Sequence, residues 1–219
     1  VPVIEIFTKP GCGWAERNFA ALELKKQAYS IVPSCDRSGQ KTEEFLSLSP
    51  YARTPTVRID GFVVYESAVI NDYFDDIVPE TPLRPVDPQA RIANRLWVRH
   101  CDRELIPLLS AFAPGRDVEK KATAHESLKA GLEQVVYWGL IHRPGPYWDG
   151  EAIGLVDLAY HTFFGALERI NADWQAQIEL PEPIGQWAGR IAAHPAVQHA
   201  RGVGQQVTYA DDIAAKGAA

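Results

Sequence analysis

The run Val3-Ile4-Glu5-Ile6-Phe7 breaks at Lys9-Pro10-Gly11 and passes into Cys12-Gly13-Trp14-Ala15-Glu16-Arg17, where a helical apolar pattern starts and continues to residue 27. A strand followed so closely by a helix puts Cys12 at a helix N-terminus. Unpaired backbone N–H groups and the helix dipole favour negative charge there, so the thiol is expected to be at least partly thiolate near neutral pH. Gly11 and Gly13 leave room for a second molecule at the sulfur, and Ala15 stands where a dithiol redox motif carries its second cysteine. A single thiol cannot resolve its own mixed disulfide, so an external thiol has to do it. The competing reading of Cys12 is a small buried hydrophobe, a common state for cysteine.

Outward from this junction the pattern predicts a strand over 29–33, a short helix over 41–48, and a strand over 56–59. That strand turns at Asp60-Gly61 into another over 62–65, the two-residue hairpin signal. A helix over 67–77 follows, opened by Ser67 as its cap, with Val69, Ile70, Tyr73, Phe74 and Ile77 at helical spacing. The order β-α-β-α-β-β-α is a thioredoxin-type topology. Pro79, Pro82, Pro85 and Pro88 mark a linker over 79–88 between a first domain, 1–78, and a second, 89–219. Beyond it the strand signals fade, and helices are predicted over 90–109, 118–140, 155–170 and 184–193, with 211–219 as a fraying tail. The expected fold is an α/β thioredoxin-like N-terminal domain plus an all-α C-terminal domain.

Composition narrows the function. A net charge of −6 and a pI near 5.5 over 219 residues, with the basic residues scattered, argue against a nucleic-acid groove. Three cysteines at 12, 35 and 101 fit neither a disulfide framework nor a zinc site, so no metal is expected and a reducing, cytoplasmic setting is. The chain opens on a strand-like run with no basic segment leading into an apolar stretch, so neither secretion nor a membrane partner is expected.

Two further segments bear on the thiol. Pro55 of Arg53-Thr54-Pro55-Thr56-Val57 is expected to face the nucleophile across the end of the sheet. If its peptide bond is cis, the Thr54 N–H and C=O turn outward, unpaired, and can pair with an extended peptide as strand addition does. A plain turn-to-strand proline is the alternative. In Tyr65-Glu66-Ser67-Ala68 a helix N-terminus offers donors to a carboxylate, with the Ser67 hydroxyl beside it and Glu66 able to accept from an ammonium. Here the alternative is an ordinary cap and a surface acid. Taken together the three segments suit a tripeptide thiol, with glutathione the candidate.

These residues, in this order, resemble the cysteine-type glutathione transferases, most closely the omega-like members and their bacterial relatives, over nearly the whole chain. Cys12-Gly13-Trp14-Ala15-Glu16-Arg17 is similar to the omega pattern Cys-Pro-Phe-Ala-Glu-Arg, with Gly13 in place of proline loosening the first helical turn. The stretches 66–70 and 83–88 also resemble bacterial glutathione-dependent aryl-ether-cleaving lyases. Asp157, in Leu155-Val156-Asp157-Leu158-Ala159, resembles the family's fold-supporting helix-start aspartate. The resemblance implies that Cys12 forms a mixed disulfide with glutathione, that Thr54 and Pro55 hold its cysteinyl backbone, and that Glu66 and Ser67 hold its γ-glutamyl group. Arg37, Lys41 or Arg53 is to meet the glycyl carboxylate. A second substrate, small and aromatic or electrophilic, is expected between the domains against Trp14, Trp97, His100 and Cys101, with core packing the alternative for Trp97 and Cys101. The loop Pro144-Gly145-Pro146-Tyr147-Trp148 either lines that cleft or plugs the domain boundary. Cys35 reads as a spectator. A homodimer is implied, and the function is thiol transfer or reduction. The alternatives are conjugation or ether cleavage with glutathione as nucleophile, and a non-catalytic binding protein on the same fold.

Overall fold

Strand β1 (Ile4–Thr8) lies inside a sheet of order β2-β1-β3-β4, with β2 at Ser30–Pro33, β3 at Thr56–Ile59 and β4 at Phe62–Tyr65. The computed structural model describes residues 2–143 and 145–217, so Pro144 and the tail's last two residues lie outside the described residues. β1 runs parallel to β2, Ile6 opposite Ile31, and antiparallel to β3, Ile6 opposite Val57. Ile6, Phe7 and Val57 are all fully buried, so β1 buries apolar side chains on both of its faces. At the β3–β4 turn Asp60 and Gly61 both have positive φ, 48° and 88°, the turn whose twist matches its strands.

Helix α1 spans Gly13–Leu24, α2 Glu43–Leu48 and α3 Ser67–Ile77. α1 stops short of residue 27 because Lys26 turns left-handed, φ 53°, and the Gln27 N–H closes back on the Leu22 carbonyl at 2.9 Å. α1 and α3 pack together around amides: Asn18 donates to the Ser67 carbonyl at 2.9 Å and to Asn71 Oδ1 at 2.6 Å. At the far end Lys25 is sealed from solvent and meets Asp75, the Val78 carbonyl and the Thr81 carbonyl at 2.7, 2.9 and 2.7 Å. A buried ammonium is tolerated because its hydrogens are all placed on acceptors. Thus the first turn of α3 is fixed on α1, close to Cys12 in sequence.

The chain divides into two compact units, Val1–Thr81 with Pro195–Ala219, and Pro82–His194. This departs from the expected boundaries at both ends. The proline segment is not a free linker: Leu83 and Arg84 are buried, and the Leu83 carbonyl accepts from Leu155 N–H at 2.8 Å. Helix α9 (Pro195–Gln206), a polar sequence with no strong apolar signal, belongs to the first unit and packs on α1, its Gly204 set close against Glu16. Ala210–Gly217, expected as a fraying tail, is helix α10, tied down by Ala210 N–H on the Cys35 carbonyl at 3.0 Å.

The second unit is helical, as expected. α4 (Pro88–His100) widens into an i→i+5 turn over Cys101–Leu105 before α5 (Ile106–Leu109), because Pro107 cannot donate to the ladder. α6 spans Val118–Gln134, α7 Leu155–Trp174 and α8 Glu182–Ala193. Its core is a cluster of Trp148, Tyr160 and Trp187, fully buried and mutually in ring contact, with Phe164 edge-on to Trp187. No described helix is long and apolar enough to cross a membrane.

Candidate active site

Cys12 is the N-cap of α1, in extended backbone, its carbonyl accepting from Ala15 N–H at 2.9 Å and Glu16 N–H at 3.2 Å. The chain can turn from β1 into the helix here because Gly11 has φ 68°, a region that favours glycine. Cys12 is 8% exposed. Its sulfur faces Thr54: Sγ is 3.4 Å from Thr54 Oγ1 and donates to the Thr54 carbonyl at 3.7 Å. The Thr54–Pro55 bond is cis and Pro55 is buried. The expectation that both Thr54 backbone groups stand unpaired holds for the N–H, which has no partner among the described residues. The carbonyl instead receives the thiol.

Glu66 has φ 68° and ψ 107° and is exposed. A non-glycine residue there costs of order 1–3 kcal/mol, and such strain concentrates at functional sites. Glu66, not Ser67, holds the N-cap position of α3, and no side chain caps the helix. Ser67 is the first helical residue, and its hydroxyl is committed to a partner the sequence did not suggest. The Arg17 guanidinium donates to Ser67 Oγ from Nε at 2.9 Å and from a terminal nitrogen at 2.6 Å. Arg17 is 2% exposed and lies over the Trp14 ring at 5.0 Å. With its lone pairs taken by the guanidinium, the Ser67 hydroxyl keeps its own hydrogen free to donate outward. The signal was available: Arg17 is the one charge on the buried face of α1, among Ala15, Asn18, Phe19, Ala20 and Leu22.

Two segments thus bring a cysteine thiol against an extended backbone edge, and a third presents an acid and a hydroxyl backed by a buried cation. The family described as Glutathione S-transferase, N-terminal domain, matches residues 11–77, the span that holds all of them. The chain is 36% identical over 180 residues to maleylacetoacetate isomerase of Mus musculus, covering 78% of this chain and 81% of that protein. The chain belongs to the glutathione S-transferase family. It is also 28% identical over 133 residues to a stringent starvation protein A homolog of Pasteurella multocida, spanning 61% of that protein's length. In fold it is similar to a Tau class glutathione S-transferase from mango, with a TM-score of 0.80 at 23% identity over 93% of this chain and 96% of that one.

Within this glutathione S-transferase the candidate cations for a glycyl carboxylate separate. Arg37 is spent on α10, donating to Asp212 Oδ1 from Nε at 3.1 Å and a terminal nitrogen at 2.7 Å, with Tyr209 stacked 5.2 Å from the guanidinium. Lys41 lies over the Phe45 ring at 5.5 Å. Arg53 is exposed, adjoins Thr54, and its guanidinium has no partner among the described residues.

Of the second-substrate wall expected here, Cys101 is core, while Trp97 and His100 are half-buried. Cys101 is fully buried and donates to the Ala159 carbonyl at 3.4 Å. Trp97 packs 4.9 Å from Trp148, and His100 Nδ1 meets Tyr160 Oη at 3.0 Å. Burial pushes the His100 imidazole below its ordinary value. The reason is register: His100 and Cys101, where α4 ends, meet Tyr160 and Ala159 of α7, and Trp97 one turn earlier meets Trp148. Trp14, half-buried beside Arg17, keeps its place in the first unit. Of the loop residues, Trp148 is fully buried under Arg143, 4.5 Å above its ring, so it plugs the core of the second unit. Cys35 is buried, with its carbonyl on α10. Among the described residues no group of His, Cys, Asp or Glu is placed to hold a metal ion.

Proposed function

We propose that this protein is a glutathione-dependent thiol transferase with Cys12 as its nucleophile. The observation that carries the reading is a cysteine sulfur at a helix N-terminus, 3.4 Å from Thr54, the residue whose backbone offers an edge to an extended tripeptide. The Cys12 thiolate attacks the glutathione sulfur of a small glutathionylated substrate. The substrate's sulfur leaves with the bonding pair and takes a proton from solvent. A second glutathione thiolate then attacks the same glutathione sulfur, forming oxidised glutathione and returning Cys12 as thiolate. Glu66 accepts from the γ-glutamyl ammonium, Ser67 donates to its carboxylate, and Arg17 beneath Ser67 adds positive charge.

A second reading, isomerisation or conjugation on glutathione's own sulfur, draws on the identity to maleylacetoacetate isomerase. Intact-mass spectrometry separates the two. Incubation with oxidised glutathione should add one glutathione to the Cys12 peptide, removable by excess reduced glutathione, and a chain that never takes the adduct favours the second reading.

Arg53 is the cation proposed for the glycyl carboxylate. Arg53→Gln should raise the KM for glutathione about five- to tenfold, as loss of a charge-assisted hydrogen bond does, with kcat little changed. Arg37→Gln should leave KM within about twofold, because that guanidinium already serves Asp212. The reverse pattern assigns the carboxylate to Arg37.

A further inference from the structure

The Thr54 side chain has one hydrogen-bond neighbour among the described residues, and it is the Cys12 sulfur, 3.4 Å from Oγ1. A β-branched residue at the head of β3 needs no hydroxyl for its packing, since valine has the same shape. We propose that Thr54 is a catalytic residue, and that its hydroxyl donates a hydrogen bond to the Cys12 thiolate whenever that thiolate forms or leaves.

The two Thr54 oxygens divide the work. A carbonyl oxygen only accepts, so at 3.7 Å it suits the protonated thiol and opposes the anion. A hydroxyl rotates to suit its neighbour: with a thiol it accepts or stands aside, and with a thiolate it donates. Both partners sit on one residue, so loss of the sulfur's proton needs a turn of the Thr54 hydroxyl and no movement of the chain. Low exposure strengthens the hydroxyl's effect, because Cys12 is 8% exposed and few waters compete to solvate the anion.

In the resolving step a glutathione thiolate attacks the glutathione sulfur of the mixed disulfide. The bond from that sulfur to Cys12 breaks, and the electron pair departs on Cys12 Sγ as the new sulfur–sulfur bond forms. A hydroxyl aimed at the departing sulfur stabilises charge where it develops, and a better-stabilised leaving thiolate leaves faster. The catalytic consequence rests on the thiol-transferase reading, whereas the contact with the sulfur does not.

The test uses the full chain without glutathione and follows carbamidomethylation of the Cys12 peptide by iodoacetamide across pH, in the parent, Thr54→Val and Thr54→Ser. Thr54→Val should react about tenfold more slowly at neutral pH, with its rate-against-pH curve moved to higher pH, and Thr54→Ser should return both. In a separate equilibrium measurement, the affinity for an unreactive S-alkyl glutathione should stay within about twofold in either variant, because the Thr54 backbone is untouched. A valine variant that alkylates like the parent at every pH overturns the proposal, as does a serine variant as slow as the valine one. A changed affinity for the S-alkyl glutathione with unchanged alkylation also overturns it, making the hydroxyl a ligand contact. If Cys12 never carries glutathione, the adduct experiment fails while this one still reads the hydroxyl.

Discussion

A Cys12→Ser variant is expected to lose thiol transfer by about a thousandfold or more while keeping its fold and its affinity for glutathione. Serine is nearly isosteric with cysteine, so the N-cap geometry of α1 and the Thr54 contacts survive. What disappears is a chemical capacity: an oxygen cannot enter a thiol–disulfide exchange, and a serine hydroxyl stays protonated at neutral pH without a neighbouring base. Turnover of a mixed disulfide of glutathione, coupled to reduction of the oxidised glutathione formed, reads the loss. Binding of an unreactive S-alkyl glutathione should change by no more than about threefold, since the edge at Thr54 and the Glu66–Ser67 pair remain. Retention of more than about a tenth of parental turnover would sink the nucleophile assignment and favour attack by glutathione's own sulfur.

Much of this site was written locally. The break at Lys9-Pro10-Gly11 before an apolar helix put Cys12 at the start of α1, and the structure has it there as N-cap. Thr54 and Glu66–Ser67 could be placed because a β-α-β-α-β-β-α order leaves few ways to close a sheet, and the observed order is β2-β1-β3-β4. What the sequence hid was long-range pairing. Arg37 reads as a free cation until Asp212, 175 residues away, is seen against it. Arg17 reads as the end of a motif until its guanidinium is found on Ser67, 50 residues on. Trp97 and His100 were expected to face a ligand, and no periodicity within α4 could say which side meets Trp148 and Tyr160. Helix α9 escaped because its apolar stripe is thin, just Ala196, Val197 and Ala200 with Gly204, enough to lie on α1 and too little to stand out.

The largest effect on stability is expected at a residue outside the reactive site. Asp157 is fully buried at the start of α7, and three donors converge on it: Trp148 N–H at 3.0 Å, Gly154 N–H at 2.8 Å and Trp187 Nε1–H at 2.7 Å. The Gly154 bond is half of a capping box, with no side chain to return the other half. The three bonds join the loop before α7, the helix start and the indole of α8, so Asp157→Ala strands buried donors from three segments at once. The expected cost is about 3–5 kcal/mol, which for a chain of this size lowers Tm by roughly 10 °C. Asp157→Asn should cost less than alanine, because its remaining oxygen still serves two of the donors.

pH separates the parent from the asparagine variant in a direction that can be worked out. Burial pushes the Asp157 carboxyl up to about 6, helped by the charge of Asp149 and opposed by the three donors. Its folded value thus lies above the ordinary 3.8, and between about pH 6 and 4 the folded state holds a proton that the unfolded state has released. Stability from this group therefore rises as pH falls through that window, the reverse of a salt-bridged carboxylate, and asparagine has no such dependence. Urea midpoints of parent and Asp157→Asn should draw further apart between pH 7 and pH 5. If they converge instead, the three donors outweigh burial and the carboxylate is held ionised in the folded protein.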